Sequence, residues 1–152
     1  MPLVDLIDET YVVAPPAELA ARLRQPELWR DWWPALDLVV FQDRGEQGVR
    51  WTVTGALAGT SEIWLEPVGD GTIVHYYLRA DPTRRGSATE PVDGSPRRLA
   101  RLARRIAREH AVALKARVNA LKDELERGRE PGMPPAPGGP VAVKDGTDRA
   151  ET

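Results

Sequence analysis

Apolar and polar positions alternate with period two in the first half of this chain. Near its end they repeat every three or four residues. Residues 3–13 carry β-branched side chains at Val4, Ile7, Thr10, Val12 and Val13, and predict a strand that Pro15 and Pro16 end. Residues 17–24 predict a short helix, and Pro26 suits the first turn of a second. Residues 36–42 predict the next strand, and 43–48 turn the chain. Val49, Trp51 and Val53 alternate with Arg50, Thr52 and Thr54, as in a strand half buried on one face. After a turn at 55–59, strands at 60–66 and 72–80 flank a hairpin tip that carries Asp70-Gly71.

Strand parity sorts the side chains. With Val49, Trp51 and Val53 inward, Ile63, Leu65, Val74, Tyr76 and Leu78 are inward too. Arg50, Glu62, Trp64, Glu66, His75, Tyr77 and Arg79 then share the outer face. A register slip of one residue would exchange the two sets.

Residues 81–96 read as a long polar loop. Ser95 and Pro96 then open a helix as N-cap and first helical residue, and it is expected to run to about Arg127 with Gly128 as its stop. Leu99, Leu102, Ile106, His110, Leu114, Val118, Leu121 and Leu125 form its apolar stripe. Ile106 and Leu114 are expected to be buried against the sheet. From Gly128 onward five Pro and five Gly occur without apolar periodicity, so 129–152 read as a disordered tail behind a domain at 1–128.

Composition narrows the classes. A chain of 152 residues holds one domain with a sizeable core. No apolar run approaches a membrane span, and no signal peptide is visible, so a cytoplasmic location is expected. There is no cysteine and there are two histidines, which gives no disulfide or thiolate site and no expected metal site or cofactor. The net charge of −2 hides an asymmetry. Residues 1–78 carry 5 Lys/Arg against 12 Asp/Glu, whereas residues 79–117 carry 11 against 4.

The stretch Val12-Val13-Ala14-Pro15-Pro16-Ala17-Glu18-Leu19, followed by Trp29-Arg30-Asp31-Trp32-Trp33-Pro34, runs a strand into an Ala-Pro-Pro turn, a short helix and an aromatic loop. This order resembles the opening of the helix-grip proteins, the Bet v 1-like, START-like superfamily. Within it, the resemblance is to the polyketide cyclase/dehydrase and lipid-transport family common in actinobacteria. Over roughly residues 3–128 the resemblance implies an α+β fold. A curved antiparallel sheet would wrap a long C-terminal helix, with two short helices after the first strand and a cavity for an apolar ligand. About five strands are countable here, whereas the family more often has six or seven. The chain is trimmed between residues 54 and 60, which leaves the cavity volume open.

Candidate site residues follow from parity and the resemblance together. Trp51 and Tyr76 are either cavity wall or plain core. His110, inside an apolar stripe, is either a hydrogen-bonded core residue or a polar group aimed into a pocket to orient a ligand or move a proton. Asp8 and Thr10 share an inward strand face with Val12, and Asp8 beside His110 would make a proton-transfer pair. Trp29, Trp32 and Trp33 lie where the family closes its cavity mouth, as lid or as core anchors. Trp64, His75 and Tyr77 would form an exposed aromatic patch suited to a homodimer contact.

Arg97, Arg98, Arg101, Arg104, Arg105 and Arg108 crowd the start of the long helix, where they oppose its dipole. They form either a solvated face paired with the acidic N-terminal half or a surface for an anionic ligand, a membrane surface or nucleic acid. Nucleic acid is not expected as a partner, because no recognised binding motif accompanies them. Catalytic signatures of hydrolases, nucleotide-binding enzymes and zinc peptidases are missing. The expected ligand-binding set is Trp51, Tyr76, His110, Trp32, Trp33 and Thr10, and the ligand is a small, mostly apolar molecule, lipid- or polyketide-like. Two alternatives stand beside it. One is an aromatase/cyclase or dehydrase using His110, Tyr76 or Asp8; the other is an interaction module without a ligand.

Overall fold

In a computed structural model, which describes residues 2–127, the chain forms five strands and three α-helices. Strand β1 (Val4–Val12) leads into α1 (Pro16–Leu23) and α2 (Pro26–Trp32). Then come β2 (Leu36–Asp43), a 3-10 turn at Gly45–Gln47, β3 (Gly48–Gly55), β4 (Leu57–Val68) and β5 (Gly71–Pro82). Helix α3 (Pro96–Leu125) ends the described fold. Gly128 and the expected tail at 129–152 lie outside the described residues. Among the described residues no helix is long and apolar enough to cross a membrane.

All five strands form one antiparallel sheet in the order β1-β5-β4-β3-β2. Its parity follows the hydrophobic alternation. Trp51, Val53, Ile63, Leu65, Val74, Tyr76 and Leu78 are buried on the concave face. Leu114, Val118, Leu121 and Leu125 of α3 close over that face, and Leu19 and Leu23 of α1 join the same core. Pro16 and Pro26 each occupy the first turn of their helix, where the missing N–H costs no hydrogen bond. Ser95 caps α3, its Oγ accepting from Arg98 N–H at 3.2 Å.

The C-terminal half of α3 is tied to β1 by polar contacts. Lys115 Nζ donates to the Glu9 carbonyl at 3.3 Å, and Lys122 Nζ donates to the Tyr11 carbonyl at 2.7 Å. Glu126 accepts from Val13 N–H at 2.8 Å.

Four expectations are corrected. The β3–β4 turn is tighter than 55–59, because Gly55 adopts φ 109° and Leu57 already starts β4. A Cβ on Gly55 would stand 2.6 Å from the Ala35 carbonyl oxygen, so this turn also needs glycine for close approach. Residues 81–96 are not a plain polar loop: β5 runs on to Pro82, and Thr83 bridges to Pro91 as the chain folds back. Ile106 is only partly buried, whereas Leu114 is wholly buried. His75 is on the outer face as expected, yet it is buried rather than part of an exposed patch. Trp64 stacks on it at 4.3 Å between ring centroids, and Glu66 bonds its Nε2 at 2.9 Å. Glu9 lies 3.2 Å from its Nδ1 without hydrogen-bond geometry.

Candidate functional site

Three segments meet at one end of the concave face. The first follows α2, where Trp32, Trp33, Pro34 and Ala35 carry the chain into β2. The second is the β3–β4 turn at Ala56. The third is the middle of α3. Backbone hydrogen bonds lock the turn to its neighbours: Ala56 N–H donates to the Ala35 carbonyl and Gly55 N–H to the Ala88 carbonyl, both at 3.0 Å. Between the three segments lies an open cleft of about 320 Å³. Trp32, Trp33, Leu36 and Leu57 line it from the sheet side. Ile106, Glu109, His110, Ala113 and Arg117 line it from α3.

His110 is the polar centre of this wall. Its ring stacks on Trp33, with centroids 3.8 Å apart and planes 11° from parallel. Its Nε2 is 2.8 Å from the Tyr76 phenol oxygen. With Nδ1 protonated, the phenol donates to Nε2; with Nε2 protonated, the ring donates to the phenol. Burial pushes the His110 pKa down to about 4, and the nearby Arg117 charge pushes the same way. The imidazole is therefore neutral at pH 7. Burial also raises the Tyr76 pKa above its ordinary value, so the phenol keeps its proton. The Arg117 guanidinium lies 5.3 Å from the Trp33 ring centroid, a cation–π contact. A neutral hydrogen-bonding group held rigidly at an apolar wall can orient a polar atom of a ligand or exchange a proton with it.

The expected site residues separate into groups. Tyr76, His110 and Trp33 come together, and Trp32 lines the same cleft. Trp51 does not line it. It is 1% exposed and packs edge-on against Trp29 at 5.0 Å, in the aromatic centre of the core. Trp29 is anchored as well, its Nε1 donating to the Leu23 carbonyl.

Asp8 and Thr10 face inward as parity requires, but their partner is Lys115. Its Nζ reaches Asp8 Oδ1 at 2.9 Å and Thr10 Oγ1 at 2.9 Å. The Asp8–His110 pair is thus replaced by Asp8–Lys115 and Tyr76–His110. Sequence reading missed Arg117, Ile106 as a cleft residue, and the Ala56–Leu57 wall. Arg117 carried a usable signal, because it lies seven residues after His110 and two turns return to one helix face. Among the described residues no group of three or more His, Asp or Glu is placed to hold a metal ion.

No protein-family model matches the chain, and no curated protein matches it by sequence. Solved structures do match. A Deinococcus radiodurans protein superposes with TM-score 0.56 at 14% identity, covering 82% of this chain and 99% of that one. The Aha1 dimer from Colwellia psychrerythraea gives 0.52 at 16%, covering 84% and 99%. Protein Ms6760 from Mycobacterium smegmatis gives 0.50 at 12%, covering 78% and 90%. At these identities the likeness concerns architecture. One curved antiparallel sheet, two short helices after the first strand and a long closing helix give this chain the helix-grip fold.

Proposed function

We propose that the protein binds a small, mostly apolar molecule in the cleft between Trp33, the Ala56–Leu57 turn and α3. The observation that carries this reading is the composition of the wall. Aromatic and aliphatic side chains, with Glu109 and Arg117 on the α3 side, surround one neutral, hydrogen-bonded imidazole, and ligand pockets commonly combine an apolar lining with a few placed polar groups. The volume of about 320 Å³ is near the lower end for such pockets, so the reading favours a compact ligand. The deeper space between sheet and helix is occupied by packed side chains, Trp51 and Tyr76 among them.

An environment-sensitive apolar dye tests the reading. It should bind at one site per chain and quench or shift tryptophan emission. Ala113→Glu, which places a carboxylate in the cleft, should abolish binding while the protein stays folded. Dye binding unchanged by Ala113→Glu would overturn the reading.

A catalytic version rests on the Tyr76–His110 hydrogen bond. In it His110 takes or gives a proton at a ligand held against Trp33, as in a cyclase or dehydrase. His110→Ala would then lower turnover about 10²–10⁴-fold while dye binding persisted. A pure carrier would lose only affinity.

Self-association through the outer sheet face belongs to the same reading. Trp64 and Tyr77 are half-buried there, and Ile7, opposite Tyr77 across the strands, is 63% exposed. The solved Colwellia Aha1 is a dimer. Light scattering of Ile7→Glu should show a monomer where the parent chain shows a dimer. A parent chain that is already monomeric would remove this part.

A further inference from the structure

The arginines at the start of α3 are not consumed by the fold. At 100° per residue, Arg97, Arg98, Arg101, Arg104, Arg105 and Arg108 fall on one face about 120° wide, spread over about 17 Å of axis. All six are exposed, and no ion pair among the described residues involves any of them. The acidic N-terminal half does not neutralise them. Arg97–Arg101, Arg101–Arg105 and Arg104–Arg108 are like-charge neighbours at i,i+4, and Arg97 and Arg98 also sit in the first turn, at the positive end of the helix dipole. A bound anion would relieve this repulsion.

Five of the six, Arg97 excepted, line a groove of about 400 Å³ between α3 and the segment at Val92 and Asp93. The floor of the groove is apolar, made by Val92, Leu99 and Leu102. Asp93 is the one carboxylate among its lining residues. Guanidinium walls over an aliphatic floor fit a discrete anion that carries an apolar part. Guanidinium forks bind phosphate oxygens in pairs, and an aliphatic floor holds hydrocarbon. No aromatic ring lines the groove, so stacked nucleobases find no platform. Leu102, in the groove, and Ile106, in the apolar cleft, are one turn apart on α3.

We infer that this arginine groove binds the phosphate head of an amphiphilic small molecule whose apolar part points toward the Ile106–His110 cleft. The direction of the tail rests on the ligand reading above; the head site rests on the arginines. The head is a phosphate monoester or diphosphate, with hydrocarbon attached.

Titration calorimetry with decyl phosphate below its micelle concentration, against 1-decanol, tests this directly. Decyl phosphate should bind at least about tenfold tighter than decanol, and less tightly as salt is raised. Arg101→Gln with Arg105→Gln should reduce decyl phosphate to the affinity of decanol. Arg101→Lys with Arg105→Lys should keep part of the difference. These arginines are solvent-facing, so the variants should fold.

Equal binding of the two probes would overturn the head site and leave the apolar cleft standing. Decyl phosphate binding that falls with the Gln pair but survives Ala113→Glu would uphold the head site and remove the cleft. Binding to phosphatidic acid vesicles without binding to monomeric decyl phosphate would replace the groove ligand with a membrane surface, and overturn the inference. Tighter binding of a duplex oligonucleotide than of decyl phosphate would overturn it as well.

Discussion

From Leu114 to Leu125, helix α3 buries Leu114, Val118, Leu121 and Leu125 and sends Lys115 and Lys122 onto the carbonyls of β1. From Pro96 to Glu109 the same helix buries Ala103 alone and turns six arginines to solvent. One periodic sequence therefore makes two surfaces. In the second half the apolar stripe meets the sheet. In the first half Leu99, Leu102 and Ile106 keep the same spacing but are only partly covered, and a groove or a cleft lies beside each. Hydrophobic periodicity fixes which face looks toward the sheet, not whether the sheet reaches it. Where it does not reach, apolar side chains remain available to something else.

The comparison is broken most sharply by truncating each half. Leu114→Ala should cost about 3–5 kcal/mol in urea unfolding, because Leu114 is fully buried in the core. Ile106→Ala should cost about 1 kcal/mol, in keeping with partial burial. Equal costs would mean that the two halves are equally part of the core.

His110 lies at the boundary of the halves, and pH sharpens the picture there. The unfolded chain takes up a proton on His110 near pH 6.5, and the folded chain does so only near 4. In that window the unfolded state binds more protons, so stability is full above about pH 6.5 and is lost as pH falls toward 4. The loss from this group amounts to about 3 kcal/mol. Denaturant midpoints of the parent chain and His110→Gln, measured from pH 7 to pH 4, should converge by that amount. Parallel curves would remove His110 from the buried, neutral state.

Removing the phenol tests the same boundary more gently. Tyr76→Phe should cost about 1–2 kcal/mol, since it deletes one buried hydrogen bond and leaves the imidazole unpaired. It should also raise the His110 exchange rate seen by NMR. Smallest of all, Arg104→Gln with Arg108→Gln should change stability by less than about 0.5 kcal/mol, and toward greater stability, because like charges are removed. A clear loss would show that the arginine face has partners within the fold.

Most of the architecture was legible in the sequence, because it rests on local rules. Alternation at Val49–Thr54 set the buried face of the sheet. Pro16 and Pro26 marked the starts of α1 and α2, and Ser95-Pro96 the start of α3. The site was legible only in part. His110, Tyr76, Trp32 and Trp33 were found because parity and helical spacing aim them at one place. The Asp8–His110 pairing failed because it depends on how far α3 slides along β1. That offset puts Lys115 opposite Asp8, and no local pattern specifies it. Burial of His75 was hidden for a related reason: Trp64 stacks on it from the neighbouring strand, and cross-strand stacking is a property of register.

The α3 lysines that bond to β1 carry one more consequence. Glu9 and Tyr11 are alternate residues of an edge strand, so their carbonyls point to the side that no strand pairs. An open edge of this kind recruits strands from other chains and seeds aggregation. Lys115 and Lys122 fill those acceptors, and with their partners Asp8 and Glu126 they set two ion pairs along the edge. Both come from the tightly packed half of α3. The edge is therefore covered by the half of α3 that the core holds in place, and a substitution that loosened Leu114 or Val118 would uncover the strand as well as open the core.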